Sequence, residues 1–272
     1  MTAAPPRPVR FADLGLRVAS GIALAGIAFL GIWAGGDWAA AFIALILVLM
    51  LWEYHRMVTG DGRLAAPGFL ASAVVGVATI VVTGVWGAAS GIGALAAGAL
   101  PVAIAGRRRS GWLVGGLLDM GLAMGALLVL RAKEPEGVWL ILWLVLVVVA
   151  ADVGAYFVGR SVGGRKLWVR VSPGKTWSGA FGGLAFAGLA GVLFGLAVGW
   201  SPARIGLLSL GIAVFSQLGD LLESAIKRRF GVKDASALIP GHGGVMDRLD
   251  GVMGGVWFFG VMDALGLGVF GA

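Results

Sequence analysis

The chain has 272 residues, 59% of them hydrophobic, with 48 glycines and a mean hydropathy of +0.94, which leaves too little polar surface for a water-soluble globule. It contains no cysteine, so disulfides and thiolate metal sites are excluded. The formal charge of +7 suits anionic lipid headgroups or polyphosphates, whereas nucleic acid is not an expected partner because no soluble domain exists to carry it.

Residues 1–16 are polar, with Pro5, Pro6 and Pro8 among them. They read as a cytoplasmic N-terminal arm, because no cleavage site of a secretory signal ends the run that follows. Beyond the arm, charge-free runs dominate: 43 positions from Leu64 to Gly106 and 26 from Ser178 to Ala203. A helix needs roughly 20 apolar residues to cross a bilayer core of about 30 Å, so the first run is long enough for two crossings. The expected fold is therefore an all-α polytopic integral membrane protein of about nine transmembrane helices. The spans fall at about 17–35, 38–54, 67–85, 88–105, 112–130, 137–159, 178–200, 205–226 and 251–270. Only glycines mark the turn near Trp86.

Alternating these spans from a cytoplasmic N-terminus places 18 of the lysines and arginines on one side and three, Arg131, Lys133 and Arg204, on the other. The positive-inside rule then puts the N-terminus inside, the C-terminus outside, and the protein in the cell inner (cytoplasmic) membrane. Residues 17–135 form N-terminal transmembrane helices and 136–272 a C-terminal transmembrane region that carries the chemistry. Glycines at GxxxG-like spacings, such as Gly183 and Gly188, are helix-packing signals. The two halves show no repeat, which weighs against an inverted-repeat transporter.

Several polar residues fall inside expected spans. Asp152, Tyr156 and Arg160 share one face of the sixth, and Ser216, Asp220, Glu223 and Lys227 form a stripe along the eighth. Intramembrane carboxylates usually line a wet cavity or bind a cation; the plainer alternative is an ion pair of Asp152 with Arg160, or of Glu223 with Lys227. Between spans six and seven, Ser172-Pro-Gly-Lys175-Thr176 looks like a phosphate-gripping turn, though not a Walker A loop. Asp119 and Asp263 are expected to make packing-level polar contacts. His55 and Arg107–Arg109 are expected to have topological and surface roles.

The most charge-dense stretch runs from Ser224 to Asp250, SAIKRRFGVKDASALIPGHGGVMDRLD. Glycines beside His242 allow close backbone approach to a ligand, so this histidine can contact a phosphate, orient a ligand or relay a proton. Asp247 and Asp250 are three apart, share a helical face and can grip a cation. Basic residues on either side suit phosphate oxygens. Together these are the parts of a metal-dependent phosphoryl or nucleotidyl transfer site.

This stretch resembles the signature of the phosphatidate cytidylyltransferase (CDP-diacylglycerol synthase) family. The matching positions are Ser224, Lys227, Arg228, Lys233, Asp234, Pro240, His242, Gly243, Gly244, Asp247, Arg248 and Asp250. The resemblance extends to Asp152-x-Gly-Ala-Tyr156 and Ser172-Pro-x-Lys-Thr176, and so covers about the C-terminal half. Ser178 departs from it, standing where an acid or amide is expected. The resemblance implies transfer of a cytidylyl group from CTP to phosphatidate, giving CDP-diacylglycerol and diphosphate. It implies Mg²⁺, with room for a second, monovalent cation such as K⁺, a site bathed by bilayer lipid, and a homodimer as an assembly to consider. Catalytic roles are implied for Asp220, Asp247, Lys227 and His242. Substrate contacts are implied for Lys175, Ser172, Thr176, Ser224, Arg228, Lys233, Arg248, Gly243, Gly244 and Tyr156, and metal contacts for Asp220, Asp247, Asp250 and Asp152. Two other readings stay open: an ion transporter using Asp152 and Asp220, and another CTP-using membrane enzyme such as a polyprenol kinase or an archaeol-type cytidylyltransferase.

Overall fold

A computed structural model describes the backbone of residues 11–265. The first ten residues of the arm, the C-terminal end and the side chain of Asp263 lie outside the described residues, and so do the expectations attached to them. Among the described residues the chain order is α1 (Phe11–Trp33), α2 (Gly36–Thr59), α3 (Pro67–Trp86), α4 (Ala88–Gly106), a single 3₁₀ turn (Arg107–Arg109), α5 (Ser110–Arg131), α6 (Gly137–Val162), β1 (Lys166–Trp168), β2 (Ser172–Thr176), α7 (Trp177–Val198), α8 (Pro202–Arg229) and α9 (Met246–Ala264). Among the described residues six helical stretches are long and apolar enough to cross a membrane: α2, α3, the 44-residue stretch Ala88–Arg131 that holds both α4 and α5, α6, α7 and α8. The chain is a mostly helical, multi-pass membrane protein.

Helix ends follow the punctuation in the sequence. α3 and α8 each begin with a proline in the first turn, where its missing N–H is no loss and its φ is already helical. The break near Trp86 is real: Gly87 adopts φ 87° and its N–H closes α3 on Thr83 O, a backbone state that glycine reaches without a Cβ penalty.

One feature was not expected. Lys166–Trp168 and Ser172–Thr176 pair as an antiparallel hairpin, so Ser172-Pro-Gly-Lys-Thr is a strand where a turn was expected. Thr176 ends the strand and caps α7, its Oγ1 accepting the Gly179 N–H at 3.1 Å. Ser178 closes the same corner, donating to Gly163 O and bonding Thr176 Oγ1. A hydroxyl therefore satisfies the position that departs from the family signature.

Helices α6 to α9 pack through small residues. Where α8 crosses α9, a Cβ on Gly254 would lie 2.2 Å from Phe215 O, so any larger residue would force the helices apart. Buried Trp143 on α6 donates to Ser209 Oγ of α8 at 2.9 Å and meets Trp200 and Phe259 edge-on. At that end of the bundle, Arg131 donates to Ile32 O at 2.6 Å, tying α5 to α1.

The opposite end gathers the basic loops. Arg109 lies 5.6 Å from the centre of the Phe230 ring, and Trp112 meets the same ring edge-on, which joins the start of α5 to the end of α8. His55, expected at the surface, is instead buried at this end of α2. Its Nδ1 donates to Asp61 O at 3.0 Å and its ring packs beside Phe69.

Candidate active site

The long loop between α8 and α9 folds back on itself at the basic end of the bundle. Gly241 and Gly243 both take positive φ, 76° and 81°, so that Ile239 N–H reaches Gly243 O at 2.8 Å and His242 N–H reaches Ile239 O at 2.9 Å. Only residues tolerant of the left-handed region make so tight a reversal. His242 projects from it toward α1, with Nδ1 3.0 Å from Ser20 Oγ.

Two buried carboxylates hold the loop. Asp247, in the first turn of α9, accepts from Lys227 Nζ at 2.7 Å, Ala235 N–H at 2.9 Å and Gly244 N–H at 2.8 Å. Glu53 of α2 is wholly buried and accepts from Ser236 Oγ at 2.6 Å, Val245 N–H at 2.9 Å and Met246 N–H at 2.7 Å. Lys227 also lies 3.0 Å from Glu223, so one ammonium serves two acids, and the expected Glu223–Lys227 pair is present. Neither Glu223 oxygen accepts a hydrogen bond of good geometry.

The facing wall is open. Lys175, on β2, pairs with Asp220 of α8 at 2.5 Å, both side chains more than a quarter exposed. Ser224 Oγ donates to Asp220 Oδ1 at 3.2 Å. Asp152 on α6 and Asp250 on α9 lie within electrostatic reach of Asp220, and Lys175 and Arg248 lie within reach of Asp152. Arg160 donates to Tyr156 at 3.1 Å, and among the described residues the alternative Asp152–Arg160 ion pair is not formed. Arg228 donates to Val232 O, while Lys233 and Arg248 are exposed.

Next to these acids lies a cavity of about 870 Å³ with mostly apolar walls, lined in part by Trp112, Asp119, Leu218, Leu222, Glu223 and Asp250. Asp119 makes the packing-level contact expected of it, accepting from Trp257 Nε1 at 3.1 Å. Leu218 and Leu222 are about half exposed, so the cavity adjoins the face that lipid would cover. A polar site and an apolar chamber therefore share the side chains of Glu223 and Asp250.

The Cytidylyltransferase family profile matches residues 15–265. The chain belongs to that family. It is 37% identical over 265 residues to the phosphatidate cytidylyltransferase of Brucella suis biovar 1, spanning 93% of this chain and 95% of that protein. It is 46% identical over 130 residues to the Haemophilus influenzae phosphatidate cytidylyltransferase, covering 46% of this chain and 45% of that one. The Bacillus subtilis protein of the same name shares 39% over 142 residues, 52% and 53% of the two chains.

The residues expected to form the site fall into two groups. The structure brings Lys175, Asp220, Ser224, Asp152 and Asp250 to one wall, and Lys227, Asp247, Gly243 and Gly244 to the other. Asp247, expected to face a metal, already accepts three hydrogen bonds, leaving about one of a carboxylate's four lone-pair sites. Among the described residues no three His, Asp or Glu side chains converge as a ready-made metal cage. Glu53 was missed by the sequence reading. It stands alone at the end of an apolar run, and nothing in its spacing points to partners 183 to 193 positions away.

Proposed function

We propose that this chain transfers the cytidylyl group of CTP to phosphatidate, at a site between the hairpin, α6, α8 and the start of α9. The observation that carries this reading is that the Lys175–Asp220 pair lies within electrostatic reach of Asp152 and Asp250, and that Asp250 also lines a largely apolar cavity. One substrate is a water-soluble polyanion and the other a lipid, and such a site offers each its own medium.

A phosphate monoester has a second pKa near 6, so the phosphatidate oxygen is already nucleophilic at neutral pH. It attacks the α-phosphorus of CTP, a new P–O–P bond forms, the α–β anhydride bond breaks, and diphosphate leaves with the electron pair. Little covalent work falls to the protein, and its contribution is positioning and charge stabilisation. Lys175, with Arg248 nearby, is placed to hold phosphate oxygens, for which polyphosphate competes with Asp220. The carboxylates fit a hard divalent ion such as Mg²⁺, which takes one or two protein carboxylates and completes its shell with substrate phosphates; Asp220, with either Asp152 or Asp250, would hold it. Bound there, it would neutralise charge on the triphosphate.

The location follows the same logic. Nine membrane passes, with the basic end of the bundle facing the cytoplasm, agree with the 18-to-3 distribution of lysine and arginine and the positive-inside rule. CTP then reaches the site from the cytosol and phosphatidate from the inner leaflet of the cell membrane.

The test is turnover by purified protein in detergent. Diphosphate release should require CTP, phosphatidate and a divalent cation together, and should fail with diacylglycerol. Release that ignores phosphatidate, or activity that needs a sealed vesicle, contradicts the reading.

A further inference from the structure

Glu53 has no place in the signature stretch, yet it is wholly buried and its carboxylate bonds to Ser236, Val245 and Met246 of that stretch. Its two oxygens meet the Val245 and Met246 N–H groups, among those that open α9. The first N–H groups of a helix have no partner within the helix, and the helix dipole favours negative charge there. A carboxylate from α2 thus does the work of a cap supplied across the fold. Its third partner, Ser236 Oγ, also accepts from Leu238 N–H, so Glu53 grips the loop both in its middle and where it enters α9.

The neighbouring glycine records how close that grip is. A Cβ on Gly244 would lie 2.5 Å from Glu53 Oε1, so a larger residue at this position would push the carboxylate away from the N–H groups it accepts from. Asp247 sits one residue beyond Met246, and its Oδ2 accepts from Gly244 N–H. Any shift of residues 244–246 therefore moves Asp247, and with it Lys227 and the helical turn that carries Asp250.

We propose that Glu53 is a positioning residue for the transfer reaction, the contact through which the N-terminal helices set the geometry of the His-Gly-Gly loop and the first turn of α9. Glu53 touches no substrate; it acts through Asp247 and Asp250. The inference rests on the proposed function only for its kinetic arm.

The experiment compares wild type with Glu53→Gln and Ser236→Ala in detergent. Glutamine keeps the shape but replaces one acceptor with a donor aimed at backbone N–H groups. Serine to alanine removes one of the three hydrogen bonds and leaves the α9 cap. Amide hydrogen exchange is the arm that does not need the reaction. Glu53→Gln should speed exchange in residues 243–247 at least tenfold while α6 and α7 keep wild-type protection. In the kinetic arm kcat should fall in order, about threefold for Ser236→Ala and more than tenfold for Glu53→Gln, with the KM for CTP within threefold of wild type.

Unchanged exchange at 243–247 in Glu53→Gln overturns the proposal, as does wild-type kcat in that variant. If Glu53→Gln fails to fold, Ser236→Ala decides: a lowered kcat at unchanged melting temperature supports positioning, and wild-type kcat defeats it. Absence of product from wild type would sink the proposed reaction instead, and exchange would still judge Glu53.

Discussion

The two walls of the site are built on opposite principles. On the α9 side, Lys227, Glu223, Asp247 and Glu53 are buried, and the hydrogen-bond capacity of Asp247 and Glu53 is largely used by the protein itself. On the hairpin side, Lys175 and Asp220 are partly exposed and meet in an ion pair. Groups that must exchange partners with a substrate cannot also be fully committed to the fold. The closed wall is scaffold for the loop, and the open wall is where phosphate and cation would be exchanged.

Breaking each wall should therefore give a different phenotype. The largest effect is expected from Lys227→Met, which leaves two buried carboxylates without their shared cation. Removing one partner of a buried ion pair costs about 3–5 kcal/mol, a large fraction of the stability of a typical domain. This variant should melt well below wild type or fail to accumulate, as thermal unfolding in detergent will report. Loss of activity at an unchanged melting temperature would instead mean that Lys227 works on substrate.

Asp220→Asn should sharpen the contrast from the other side. The amide keeps the shape, and the only ion pair lost is the exposed one with Lys175, a class worth roughly 0–1 kcal/mol to stability. The melting temperature should stay within a few degrees of wild type. Turnover should nevertheless fall on the order of 10²–10³-fold, the range seen when one preorganised electrostatic group is removed from an active site. Near-normal turnover at limiting Mg²⁺ would remove Asp220 from the site.

What could be read from the sequence divides along similar lines. Membrane helices announce themselves by apolar length alone, and Gly87 marked the division of the 43-residue run. The Glu223–Lys227 pair was legible because helical geometry brings residues four apart together. The hairpin was not, since Lys166–Thr176 is basic, polar and short, and lacks the alternation that identifies a strand. His55 was placed at the surface because its partner, Asp61 O, is a backbone carbonyl that no side-chain pattern discloses. The grip of Glu53 and the Lys175–Asp220 pair are tertiary contacts across long separations. The signature stretch pointed to a candidate site; only the fold separated its committed residues from its available ones.

The central claim is nucleotidyl transfer to a lipid phosphate, and following the label from CTP tests it most directly. Purified protein is incubated with phosphatidate, Mg²⁺ and CTP carrying label in either the α- or the γ-phosphate, and the lipid is extracted. The account predicts that α-label enters the lipid as CDP-diacylglycerol while γ-label leaves as diphosphate. Recovery of γ-label in the lipid would make the protein a CTP-dependent kinase and contradict the account.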